Sequence, residues 1–298
     1  MALFPGRVQI NEQDLVDQRR ERILWREVAA PVLAELRVTD PDTRVWWVPG
    51  ALCRLPLHAA TAAQDAAEPV AGGTGLPESL VDRTVSSYTP TVTTLHHARA
   101  RGAAPDRARA AVVYADAHRP GLPELPAARR EVRVAADRFG LEPLDLAACE
   151  RAVLLDALTT CTHLPLALHA VADHDDPGNS RFLLPDLDLT FAEIAVKRGG
   201  WGRLAYLSAC ESAHSPRHLA DEAIHLTSAF LLVGFSGVIG TLWRVPDAAA
   251  EATARGFYEA LDDVCGEPAL ALARTARRAR EHYGGAPAAW AAHHHVGI

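Results

Sequence analysis

Residues 204–213 read LAYLSACESA. Leu204, Tyr206 and Leu207 make a compact apolar run of the length of a buried strand, and by Cys210 the run has given way to small and polar residues. Working outward, LPLALHAVA (164–172) upstream and GVIGTLW (237–243) downstream read as two more strongly apolar strands. Helical patterns separate them. One is opened by the capping box Thr190–Phe191–Ala192–Glu193, and another runs over Asp221–Val233. Strands that are apolar throughout, and that alternate with helices, belong to a sheet buried on both faces. The fold class expected is α/β, with a mostly parallel central sheet flanked by helices.

The same alternation extends to the rest of the chain. RVWWVP (44–49), RTVSSY (83–88), AAVVYA (110–115), EPLDL (142–146) and RFLLP read as strands. Helices are expected over 11–37, Thr91–Arg101, Pro126–Phe139, Glu150–Leu158 and, twice more, after Pro246. In the first, Asn11 can cap, and Leu24, Val28, Val32 and Leu36 recur every four residues. Residues 61–79 are rich in Ala, Gly and polar types without a period, the pattern of a surface loop. Trp46, Trp47, Val112 and Val113 are expected in the sheet that carries Leu166 and Tyr206, so residues 1–298 are read as one unit. Residues 1–40 are its helical N-terminal segment, and 110–298 hold its catalytic core.

In such sheets ligands and reacting groups gather at the carboxyl ends of strands. Cys210 lies just beyond one such end and His174 just beyond another, thirty-six positions earlier. That distance leaves room for one crossover between neighbouring strands. It allows a Cys–His pair without requiring one. Cys210 therefore has two readings, a small buried hydrophobe or a nucleophile activated by a nearby base. The strand-end position, the small neighbours Ser208 and Ala209 and the polar stretch from Glu211 to Arg217 favour the second. His174, in VADHDDPGNS, is either a solvated loop residue or a general base oriented by Asp173, Asp175 or Asp176. His169, inside the apolar strand, reads as a hydrogen-bonded core residue.

Composition narrows the function classes. With 49% hydrophobic and 22% charged residues the chain can bury a large core. A formal net charge of −7 argues against nucleic acid as a direct partner. The arginine cluster RTARRARE (274–281) reads as a solvated helix face. Five scattered cysteines without a C-x-x-C pair fit free thiols in a reducing compartment and no zinc site. No apolar stretch reaches the ~18 residues of a membrane span and no signal-like segment opens the chain, so the cytoplasm is the expected location and no membrane partner is expected. GFSGVIGT (234–241) joins a helix to a strand, the wrong order for a phosphate cradle, which opens a helix. The terminal HHHVGI reads as a weak metal binder or a tag remnant. No metal or other cofactor is expected.

LAYLSACESA, followed by LADEAIHLTSAFLLVGFSGVIGTLWRVPDAAAEATARGFYEAL, resembles the signature of CHAT domains, caspase-like peptidase domains often attached to TPR repeats. The resemblance takes in RVWWVPGALCRLPLHAA and VSSYTPTVTTLHHAR upstream and WAAHHHVG downstream, from about residue 20 to 297. It implies a caspase-hemoglobinase three-layer sandwich and a cysteine endopeptidase mechanism acting on a protein substrate. The family cysteine follows Leu-Ser-Ala, which is the place of Cys210. Its histidine lies in a pattern like H-F-A-C-H-G ahead of a D-P-x-x-S loop. VADH aligns His174 with the catalytic position and DPGNS (176–180) with the loop, Ala172 matching the motif's alanine. Anchoring on His169 instead puts Asp173 at that position and leaves no base.

The resemblance also implies an oxyanion site made by backbone N–H groups of Cys210 and residue 175. The family carries glycine after its histidine, whereas this chain has Asp175, whose carboxylate opposes a developing oxyanion unless it points away. Asp173, Asp175, Asp176 and Glu211 near the site suit either orientation of His174 or a basic residue before the cut, and surface solvation accounts for them equally well. No TPR array or sensor domain is recognisable, so a regulatory or sensor protein or self-association is the expected control, with prokaryotic immunity as a context the family offers. The contrasting reading is an inactive caspase-like scaffold that binds a partner.

Overall fold

The computed structural model describes residues 12–52, 55–63, 76–100, 110, 113–114, 126–145, 151–171, 173, 176–184, 187–197, 199–208, 220–243, 245, 247–284 and 286–298. Strands are β1 (Arg44–Trp47), β2 (Val85–Tyr88), β3 (Val113–Tyr114), β4 (Leu144–Asp145), β5 (His163–Ala167), β6 (His169–Val171), β7 (Arg181–Leu183), β8 (Leu189–Thr190), β9 (Leu204–Leu207), β10 (Gly237–Thr241) and β11 (His293–Gly297). Eight of them form one sheet in the order β1-β2-β11-β10-β9-β5-β3-β4, and β6-β7-β8 form a small second sheet. Every junction of the large sheet is parallel except β10–β11. Trp46, Trp47, Val113, Leu166 and Tyr206 thus share one sheet, as expected; Val112 lies outside the described residues.

Side chains alternate across a strand, and here the two sets feed two cores. Ala205 and Leu207 of β9, Leu164 and Leu166 of β5 and Val238 of β10 pack with the helices Arg151–Thr160, Phe191–Ala195 and Ala220–Val233. Leu204, Tyr206, Ala167 and Ile239 face the helices Pro126–Phe139, Asp247–Asp263 and Pro268–Tyr283 on the other side. The result is the three-layer α/β arrangement expected from continuous apolar strands. The Thr190 box also forms: Thr190 Oγ1 accepts from the Glu193 N–H at 3.2 Å and Glu193 Oε2 accepts from the Thr190 N–H at 2.9 Å.

Four readings need correction. The run 164–172 is two strands, because the chain leaves the large sheet at Leu168 and pairs as β6 with β7. The N-terminal helix is interrupted by a π-turn over Trp25–Ala29. The extra residue of a π-turn rotates the face that follows, so Leu33 is buried and Leu36 is exposed. The terminal histidines are no tag or surface metal binder: His293, His294 and His295 are buried in β11, between β2 and β10. The arginine cluster is also no solvated face. Arg277 donates to the Val81 carbonyl at 2.7 Å and to Asp42 at 3.0 Å, and buried Arg280 pairs with Asp82 at 2.8 Å. The Arg277 hydrogen bond, with Arg274 beside it, holds the Asp42 carboxyl below its ordinary pKa.

GFSGVIGT joins the helix Ala220–Val233 to β10, as expected, and its first glycine is held tightly against main chain. Gly234 has φ +137°, and a Cβ there would stand 2.0 Å from the Gly200 carbonyl oxygen. Gly234→Ala is therefore expected to cost roughly 3 kcal/mol or more, through backbone strain plus a clash with main chain. Urea unfolding checks this. A loss below about 1 kcal/mol would mean that the 199–202 loop shifts freely away.

Candidate active site

β5 and β9 are neighbours and run parallel, with His163 opposite Leu204 and Leu166 opposite Leu207. The ladder runs one residue further, the Ser208 N–H donating to the Leu166 carbonyl at 2.8 Å. Cys210 therefore follows the carboxyl end of β9 directly, whereas the chain from the carboxyl end of neighbouring β5 passes through β6 of the small sheet before it reaches His174. His174, Asp175, Cys210 and Glu211 lie outside the described residues, whereas Asp173 and Asp176 are described.

On the histidine side, a turn carries the chain from β6 to β7. The Asp173 N–H donates to the hydroxyl of fully buried Ser180 at 3.0 Å, and Asp173 Oδ1 accepts from the Asp176 N–H at 2.9 Å. Asp176 in turn accepts from the Gly178 N–H and from Asn179 Nδ2, both at 3.1 Å. Aspartate side chains that bond backbone two or three residues on fix a turn. Two of the acidic residues expected around the histidine thus each accept local hydrogen bonds. The small sheet beneath is held by Phe182, fully buried, whose ring lies 6.0 Å from Phe191 and 6.2 Å from Phe230. His169 of β6 is buried, in keeping with a core role.

On the cysteine side, Ser208 Oγ donates to Glu131 Oε2 at 2.5 Å, a length typical of a hydroxyl bonded to a carboxylate. Glu131 sits on the helix Pro126–Phe139 and is 5% exposed. Tyr206, Tyr258, Pro165, Leu166 and Ala167 line the same narrow crevice. Burial, and then the Glu131 charge, push the Tyr258 hydroxyl well above its ordinary pKa. Glu131 escaped the sequence reading, although a signal was present. It falls on the face of Ala128, Val132 and Ala135, all buried, and a carboxylate on the apolar stripe of a helix asks for a partner. Among the described residues no group of three or more His, Cys, Asp or Glu is arranged to hold a metal ion. No helix among them is long and apolar enough to cross a membrane.

Two crystal structures of the Saccharomyces cerevisiae separase–securin complex share this fold. They superpose with TM-scores of 0.51 and 0.50 at 15% and 14% identity, over 74% and 72% of this chain and 14% of the matched chain. The chain thus spans about one-seventh of the length of the protein it resembles in those structures. At that identity the likeness establishes a caspase-like fold and nothing finer. No curated protein matched the chain. The sequence model of the CHAT domain matches residues 18–298, from within the first helix to the last strand. A match of that extent takes in both strand ends and both layers of helices, and the chain belongs to the CHAT domain family.

Proposed function

We propose that the chain is a caspase-like cysteine endopeptidase. Cys210 Sγ attacks a substrate carbonyl as His174 takes the thiol proton; the C–N bond then breaks and the amine leaves with that proton. Water, deprotonated by His174, hydrolyses the thioester and frees the thiol. The N–H groups of Cys210 and Asp175 hold the oxyanion. The observation that supports this is the parallel pairing of β5 with β9: Cys210 follows β9, and the chain that leaves the end of β5 runs through the short β6 to His174. Asp173, Asp175, Asp176 and Glu211 are the acids that could orient the imidazole or meet a basic substrate residue; Asp173 Oδ1 and Asp176 also accept backbone bonds within their own stretch. The separase of the similar structures is held in complex with securin. Control by a bound regulatory protein, in a cytoplasmic setting such as prokaryotic defence, is the corresponding proposal here.

Alkylation tests the pair before any substrate is known. Cys265 is a free exposed thiol and supplies an internal reference. With iodoacetamide at pH 7, followed by mass spectrometry of the peptides, Cys210 is expected to react at least roughly tenfold faster than Cys265. His174→Ala is expected to remove the advantage. A Cys210 no faster than Cys265 would mean a caspase-like scaffold that binds without cutting.

A further inference from the structure

We infer that Glu131 is a positioning residue for Cys210, acting through Ser208 two residues before it in the chain; this rests on the endopeptidase reading of Cys210. Ser208 is tied to two elements at once. Its backbone N–H is bonded to Leu166 of β5, and its hydroxyl to Glu131 on the helix Pro126–Phe139. Cys210 follows two residues later. The first bond continues the sheet and fixes the strand's height. The second crosses from the sheet to the helical layer and ties the end of the strand to that helix.

Stability alone does not account for a carboxylate at this place. Glu131 is 5% exposed among Val132, Ala135, Ala254 and Tyr258. A buried carboxylate loses its hydration, and an apolar side chain of similar volume commonly serves a core as well or better. What a carboxylate offers is a short, directional acceptor. A nucleophile must be held within a fraction of an ångström by groups that are themselves locked. Glu131 belongs to a helix packed along its length against the helix Asp247–Asp263, so the acceptor it presents is rigid.

The test compares Glu131→Ala, Glu131→Gln, Ser208→Ala and the double Ala variant with the wild type, following Cys210 and Cys265 alkylation peptide by peptide and the thermal midpoint alongside. Glu131→Ala and Ser208→Ala are expected to slow Cys210 by roughly tenfold or more, the scale of effect that a displaced reacting group produces. Cys265 should not change. Glu131→Gln keeps an acceptor oxygen and should stay within about twofold of wild type. The double variant should be no slower than the slower single one. Should Glu131→Ala fail to fold, Ser208→Ala decides, since it removes one oxygen only. Wild-type rates at Cys210 in folded Glu131→Ala or Ser208→Ala would overturn the inference, as would a lowered midpoint with no change at Cys210. Each rate is compared with wild-type Cys210 itself. A slow wild-type thiol sinks the endopeptidase reading and still leaves the Glu131 comparison readable.

Discussion

Lowering the pH from 7 to about 5 is expected to unfold this protein cooperatively, because its central sheet carries histidines that fold only in the neutral form. Burial depresses His58 and His293 to about 4 and His294 to about 3, and holds His295 well below its ordinary value. His163 is brought to about 4 by burial and then by the charges of Arg203 and Arg138. Between the unfolded value near 6.5 and these folded values, the unfolded chain binds more protons than the native one. Stability is complete above pH ~6.5 and falls as the pH drops toward 4, by about 1.4 kcal/mol per pH unit for each such histidine. Glu21 acts in the opposite sense. Burial raises it to about 8, so in this window it favours the native state as pH falls and offsets one histidine. The remainder is comparable within one or two pH units to the ~5–15 kcal/mol that holds a domain together.

The protein offers these rings little relief. His58 is bonded to the Tyr88 hydroxyl at 2.7 Å and the Ala291 carbonyl at 2.8 Å. His293 has no hydrogen-bond partner for either ring nitrogen among the described residues. Circular dichroism and tryptophan fluorescence against pH should show one transition, centred between roughly pH 5 and 6. His293→Phe should move it to lower pH. A native spectrum at pH 4.5 would refute the neutral-histidine account.

The second expectation concerns turnover. A proteome-wide cleavage profile with wild type should yield neo-termini that vanish with Cys210→Ala and with His174→Ala, a loss of roughly a thousandfold or more for each, since the two act as a unit. Asp175→Gly should preserve folding and raise turnover. The aspartate keeps the backbone donor but sets a carboxylate beside the place where negative charge develops, at a cost of about 1–3 kcal/mol in the transition state on the scale of one oxyanion donor. Equal rates would show that the carboxylate faces away. A large loss would show that Asp175 orients His174 or grips a basic side chain. Unchanged cleavage by His174→Ala would refute the dyad.

Apolar period and spacing were enough to read the α/β class and most strands and helices, and the motifs around residues 204–258 carried the family resemblance. Those are local properties: which residues are apolar, where a helix is capped, how far one strand end stands from the next. Tertiary structure decided the rest. Three consecutive histidines look solvent-seeking in sequence, and only the strands on either side bury them. A π-turn moves Leu36 outward because one inserted residue turns the helix face, which a four-residue period cannot register. RTARRARE looks solvated until Asp42, Asp82 and the Val81 carbonyl arrive from some 200 residues away. Ser208 looked like a small neighbour of Cys210, and its partner Glu131 stands 77 residues earlier on a helix that only the packed sheet brings alongside. Patterning along a chain specifies which face is buried; it does not specify which distant polar group meets it there, because that depends on the order of strands in the sheet.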